Sequence, residues 1–150
     1  MGNKKEQESG LPAPEDLARE ILVRAIDLTK RLEDWTEKRA FPQAQDALVS
    51  FGQLLLLGSL EAFRKMYPDR DLTDYENQVF LQLSRLTLNE FLQREAEENE
   101  WEYFVTYYRS HFELLKRELG ETNGEPLAED DALSEEIRRS LEELFSRFFA

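Results

Sequence analysis

Apolar residues along this chain recur at intervals of three and four through five separate stretches, and in one of them the polar positions all but vanish. Ala47 to Leu60, ALVSFGQLLLLGSL, is fourteen consecutive residues without a charge, bracketed by Asp46 and Glu61. A buried strand can look the same. The flanks keep helical spacing, however, through Phe41, Ala44, Ala47, Leu48, Phe51 and Leu55, then Ala62, Phe63 and Met66. At about 1.5 Å per residue the run is shorter than a bilayer core of about 30 Å, so the pattern predicts a buried central helix and no membrane span. Pro68 and Asp69-Arg70-Asp71 predict its end near Tyr67.

Four amphipathic helices are predicted around it. Pro14 suits a first helical position, Glu15 and Asp16 face the positive end of the dipole, and Leu17, Ile21, Ala25, Leu28, Leu32 and Trp35 extend a stripe toward Arg39. Phe41-Pro42 breaks that helix. Thr73-Asp74-Tyr75-Glu76 has the capping-box pattern and opens a third helix, marked by Tyr75, Val79, Phe80, Leu83, Leu86 and Phe91. Arg94 to Glu100 loses its apolar members except Ala96, which predicts a break, with Asn99 and Glu102 resembling another cap. A fourth helix follows from Glu100 to Leu119, with a seam of Trp101, Phe104, Val105, Tyr108, Phe112, Leu115 and Leu119 and with Gly120 as terminator. After a loop over Glu121 to Asp131, Leu133, Ile137, Leu141, Leu144, Phe145, Phe148 and Phe149 define the last helix. The fold class is therefore all-α: an antiparallel, up-and-down bundle of about five helices with a hydrophobic second helix at its centre. Residues 1–12 read as a polar tail without a packing role, and 13–150 as one domain.

Composition removes several functions. No cysteine is present, which excludes disulfides and thiolate metal sites and leaves the redox compartment unmarked; MGNKKEQESG as written has no apolar core of a secretory signal, and cytoplasmic is the default expectation. The formal net charge of −13 opposes direct contact with nucleic acid, whose phosphates need Lys or Arg. Acids concentrate late, from Glu95 through Glu97, Glu98 and Glu100 to Glu102, and again from Glu118 to Glu136, where no Lys or Arg intervenes.

Candidate chemistry fails residue by residue. His111 is the single histidine, and a phosphotransfer helix would carry a lysine near its third following position and small neighbours, where this chain has Phe112-Glu113-Leu114-Leu115. A di-iron bundle needs two Glu-x-x-His motifs, and Tyr108 occupies the place of the only Glu available to His111. Glu95-x-x-Glu98 and Glu97-x-x-Glu100 match half of a magnesium-dependent pyrophosphatase pattern, but no Glu has Asp three residues later. Nucleophile elbows and glycine-rich phosphate loops are absent. No catalytic residue, cofactor or metal ligand is assigned.

Glycines at 52 and 58 inside a predicted helix cost about 1 kcal/mol each relative to alanine, and close approach of another backbone would offset that. The sequence thus points to a non-enzymatic, acidic protein–protein interaction module, an adaptor, assembly factor or small subunit, reading as a homodimer. Its candidate interface is Gly52, Leu56, Gly58 and Ala62, with Phe145, Phe148 and Phe149 on a last helix able to dock in cis or on a partner. Two rivals stay open: an acidic nucleic-acid mimic that binds a basic protein, and a phosphorelay or metal-dependent enzyme using His111 or Glu95 to Glu102.

Overall fold

The computed structural model describes residues 10–31, 44–121 and 131–149. Within them every regular element is helical: α1 (Pro14–Arg31), α2 (Ala44–Met66), α3 (Thr73–Leu92), α4 (Glu98–Glu121) and α5 (Asp131–Phe149). The fold is an all-α helical bundle. The expected extension of α1 to Arg39, the Phe41-Pro42 break, residues 1–9 of the expected tail and residues 122–130 of the expected loop lie outside the described residues, while that loop's expected ends, Glu121 and Asp131, belong to α4 and α5.

Helix α1 opens as its sequence dictates. The Leu17 N–H donates to the Ala13 carbonyl at 3.0 Å, so Pro14 sits where a missing N–H loses no helical bond. Leu17, Ala18, Ile21, Ala25 and Leu28 form its buried stripe. Residues 10–12 depart from the expected tail. Leu11 is buried in the core, and the Pro12 carbonyl accepts a 2.7 Å hydrogen bond from the Tyr75 hydroxyl. Gly10 has φ +73, and a Cβ there would overlap the Tyr67 hydroxyl, so only glycine suits this turn.

Helix α2 packs against each of the other four, which is the central position its uncharged run predicted. Only the length argument needs correcting: Ala47–Met66 is long and apolar enough, by length and composition, to cross a membrane, because the helix runs past Leu60, and 67% of its apolar window is buried within the bundle, as in a core helix.

Thr73 begins α3 as expected, but the cap is different. Leu72 is the residue before the helix and makes no side-chain cap. Asp71 supplies the oxygen instead, accepting the Thr73 N–H at 3.0 Å and the Thr73 hydroxyl at 2.6 Å, and these bonds hold the Asp71 carboxyl below its usual pKa. Glu76 does not reach back. Arg64 at 3.5 Å and Lys116 at 3.3 Å draw its carboxylate sideways between helices. Gln93, in the left-handed conformation at φ 56, terminates α3, and the Ala96 N–H closes on the Asn89 side chain at 2.7 Å to make the predicted break. Glu100 then supplies the reciprocal half of a capping box, accepting the Glu97 N–H at 2.9 Å, a role the sequence had suggested for Glu102. Helix α4 continues one residue beyond Gly120, the expected terminator.

Helix α5 packs on α1 and α2 more than on its predecessor in sequence. Three ion pairs tie it to α1: Glu20 to Arg147 at 3.1 Å, Arg24 to Glu143, and Arg31 to Glu136 at 2.7 Å. Ascending numbers on α1 meet descending numbers on α5, so the two helices are antiparallel.

Candidate functional site

The residues expected to form an interface divide into buried and half-buried sets. Gly52 and Leu56 are enclosed by this chain's own helices. A Cβ at Gly52 would meet Ala25 Cβ, Leu83 Cδ2 and Tyr108 Oη, each at 3.9 Å, so α1, α3 and α4 converge there at ordinary contact distance. Gly58 is tighter. A Cβ at that position would lie 2.7 Å from Leu141 Cδ1 and 3.3 Å from Leu141 Cδ2, so the close approach inferred from sequence is made by α5 of the same chain. Ala62 is half-buried beyond it.

The aromatic end of α5 is also used internally. Phe63, fully buried on α2, meets Phe145 and Phe149 edge to face with centroids at 5.8 Å and 5.9 Å. Phe148 packs half-buried on the same core. The glycines and the last helix therefore have an intramolecular explanation, and neither calls for a second copy.

His111 stands on α4 facing α2. Gln53 donates from Nε2 to the Tyr108 carbonyl at 3.0 Å, which leaves its Oε1 to accept, and the His111 Nδ1 lies 2.7 Å from that oxygen. Nδ1 must therefore carry the proton. His111 Nε2 is 3.4 Å from the Ser50 hydroxyl. With both ring nitrogens engaged by α2, the imidazole acts as a strut between helices and has no lone pair directed at an incoming phosphoryl group. Beside it Tyr108 is fully buried, and its hydroxyl has Thr87 and Gln53 for polar neighbours without closing a hydrogen bond to either. Thr87 instead donates to the Leu83 carbonyl at 2.7 Å. Burial pushes the Tyr108 phenol far above its usual pKa, keeping it a neutral packing group.

The Glu95 to Glu102 cluster is spread over the surface. Arg94 grips Glu100 through two bonds of 2.8 Å and 2.7 Å, and with the Glu97 N–H it pulls the Glu100 carboxyl down to about 2. Glu98 turns to Arg85 at 3.0 Å, and Glu95, Glu97 and Glu102 are exposed. Among the described residues no three His, Asp or Glu side chains converge as a metal site requires.

A second face of α4 escaped the sequence reading. Trp101, Phe104, Tyr108 and Phe112 turn inward, where the Trp101 indole donates to Ser84 Oγ at 3.0 Å and Phe80 packs on Tyr108 and Phe112. Tyr103, Tyr107 and Leu114 turn out, exposed by 87%, 44% and 53%. With Thr106 and Ser110 between them, they form an uncharged stripe along the helix. Their spacing of four and seven is a helical signal in its own right, hidden by the more regular inner seam. Comparison with known protein families, with characterised proteins and with solved structures finds no match to this chain.

Proposed function

We propose that this chain is a non-enzymatic helical module that acts by protein–protein contact through the outer face of α4. The observation that carries the reading is the stripe of Tyr103, Tyr107 and Leu114, three large apolar side chains aligned on one helix of an acidic surface. Scattered exposed apolar residues are ordinary, whereas an aligned set containing two tyrosines has the composition of interface anchors. The engagement of both His111 nitrogens and the dispersal of the Glu95 to Glu102 carboxylates support a contact role over phosphorelay or metal-dependent catalysis.

Photo-crosslinking tests it. A photoreactive benzophenone amino acid replaces Tyr103 in one sample and Glu142, exposed on α5, in another, and both are irradiated in extract of the native host. A discrete protein adduct at position 103 and none at 142 is the expected result. No adduct at 103, or the same adducts at both positions, defeats the proposal.

A further inference from the structure

We infer that the outer face of α4 is closed by the same face of a second copy of this chain running antiparallel to it, a step that rests on that face being the contact surface. Shape is the first argument. A two-fold contact needs a patch that fits itself, so that a residue meeting a second residue of the other copy is met in return. Tyr103 and Leu114 lie equally far from the point midway between Tyr107 and Ser110, on a straight ridge about 16 Å long at 1.5 Å per residue. A two-fold axis at that point sets Tyr103 of each copy against Leu114 of the other. It also lays each Tyr107 ring over the small Ser110 of the other copy, which is how side-chain ridges enter grooves when two helices pack.

Charge is the second. Glu102 and Arg117 stand near opposite ends of the stripe on one flank of α4, both exposed, and among the described residues neither enters an ion pair. Antiparallel copies bring that flank against itself end for end. Arg117 then lies within about 3 Å, measured along the helix, of Glu102 of the other copy, and the pair forms twice. Glu113, on the same flank, is met by Lys116 of its own chain at 4.0 Å. Parallel copies would instead set Arg117 beside Arg117 and Glu102 beside Glu102, so the charges select the direction. The rest of the acidic surface acts from farther away and is screened over about 8 Å at physiological salt.

Size is the third. Taking about 200 Å² for a large side chain, the exposed parts of Tyr103, Tyr107 and Leu114 offer roughly 370 Å². Interfaces are about 57% non-polar, so covering the stripe corresponds to roughly 650 Å² of total area per copy. The pair then buries roughly 1,300 Å², above the roughly 1,000 Å² of a specific contact and at the small end of the usual range. That is the size of a reversible dimer.

Sedimentation equilibrium of the full chain provides the test. The expected result is a reversible species of twice the chain's 17.7 kDa with a micromolar dissociation constant, weakened about tenfold or more by Tyr103→Ser with Leu114→Ser and unchanged by Val23→Ser on α1. The reversals Glu102→Arg and Arg117→Glu each bring like charges together, and each should weaken self-association about tenfold. Mixing the two reversed chains in equal amounts restores it. In that heterodimer both flank contacts again join opposite signs, so parent-like affinity should return. Circular dichroism confirms that each variant keeps its helix content. A parent chain that stays monomeric up to millimolar concentration overturns the inference, as does a dimer indifferent to Tyr103→Ser with Leu114→Ser. Failure of the mixed reversed chains to associate overturns the antiparallel arrangement, and the inference with it. A crosslink from position 103 to a different protein in host extract, with the purified chain monomeric, refutes this inference alone and leaves the α4 contact reading standing.

Discussion

Gly58 offers the sharpest test of how α5 is held. Gly58→Ala gains about 1 kcal/mol of helix propensity on α2. The new methyl would lie 2.7 Å from Leu141 Cδ1 and 3.3 Å from Cδ2, so the leucine must leave its rotamer minimum. That adjustment costs about 0.5 to 1.5 kcal/mol. The two effects nearly cancel, and the unfolding free energy should stay within about 0.5 kcal/mol of the parent. In a Leu141→Ala background the obstructing carbons are gone, and the same substitution should stabilise by the full propensity gain of about 1 kcal/mol. The difference, about 0.5 to 1.5 kcal/mol, is the coupling between the sites. Gly58→Leu cannot be relieved by a rotamer change and should destabilise by up to about 2 kcal/mol, overpacking of about 1 to 3 less the propensity gain of about 1. Urea unfolding followed at 222 nm measures all of these as shifts of midpoint at constant slope. Should Gly58→Ala stabilise the parent by about 1 kcal/mol and Leu141→Ala leave that gain unchanged, α5 does not lie against Gly58, and the intramolecular account of the glycine is wrong.

Two further outcomes follow from the interior and the surface. Tyr108→Phe removes a buried hydroxyl that lacks a partner, a group costing about 1 to 3 kcal/mol to desolvate, and should raise the unfolding free energy by about 1 kcal/mol; a loss of comparable size would mean the hydroxyl is bonded in solution. Glu100, held at about 2 against an ordinary 4.5, contributes its stabilisation in full above about pH 4.5 and loses it as pH falls toward 2. Glu100→Gln should therefore narrow the stability gap between pH 5 and pH 2 in thermal melts, and an unchanged gap would show that Arg94 and Glu97 do not favour the charged form.

What the sequence disclosed follows the range of the forces involved. The start and buried stripe of α1 and helices α2 to α5 were legible because apolar periodicity is a property of neighbouring residues, and the fourteen uncharged residues of α2, flanked by helical spacing, pointed to the centre. The cap at Thr73 was misassigned because Thr73 and Asp71 both satisfy a local pattern, and the choice was settled by Arg64 and Lys116, which pull Glu76 away from across the bundle. The need for a close neighbour at Gly58 was visible, but Leu141 lies 83 positions away and α5 could equally have come from a second copy. The Tyr103, Tyr107 and Leu114 face was overlooked for a different reason. A helix with apolar residues on two sides offers two stripes, and the one that continues furthest looks like the whole pattern.

The ladder between α1 and α5 bears on which arrangement the chain selects. Exposed ion pairs contribute little to stability, but the order of signs along two helices can forbid the wrong alignment. In the observed register Glu20, Arg24 and Arg31 meet Arg147, Glu143 and Glu136. Sliding α5 by one turn in one direction sets Glu20 opposite Glu143, Arg24 opposite Arg139 and Asp27 opposite Glu136. Sliding it by one turn the other way sets Arg24 opposite Arg147. The same slips would also take Leu141 from its place against Gly58, so the charges and the apolar packing select the same register. The charges make the two helices read like a key cut for a single depth, so that a helix joined to the bundle through residues 122–130 has one seat to find.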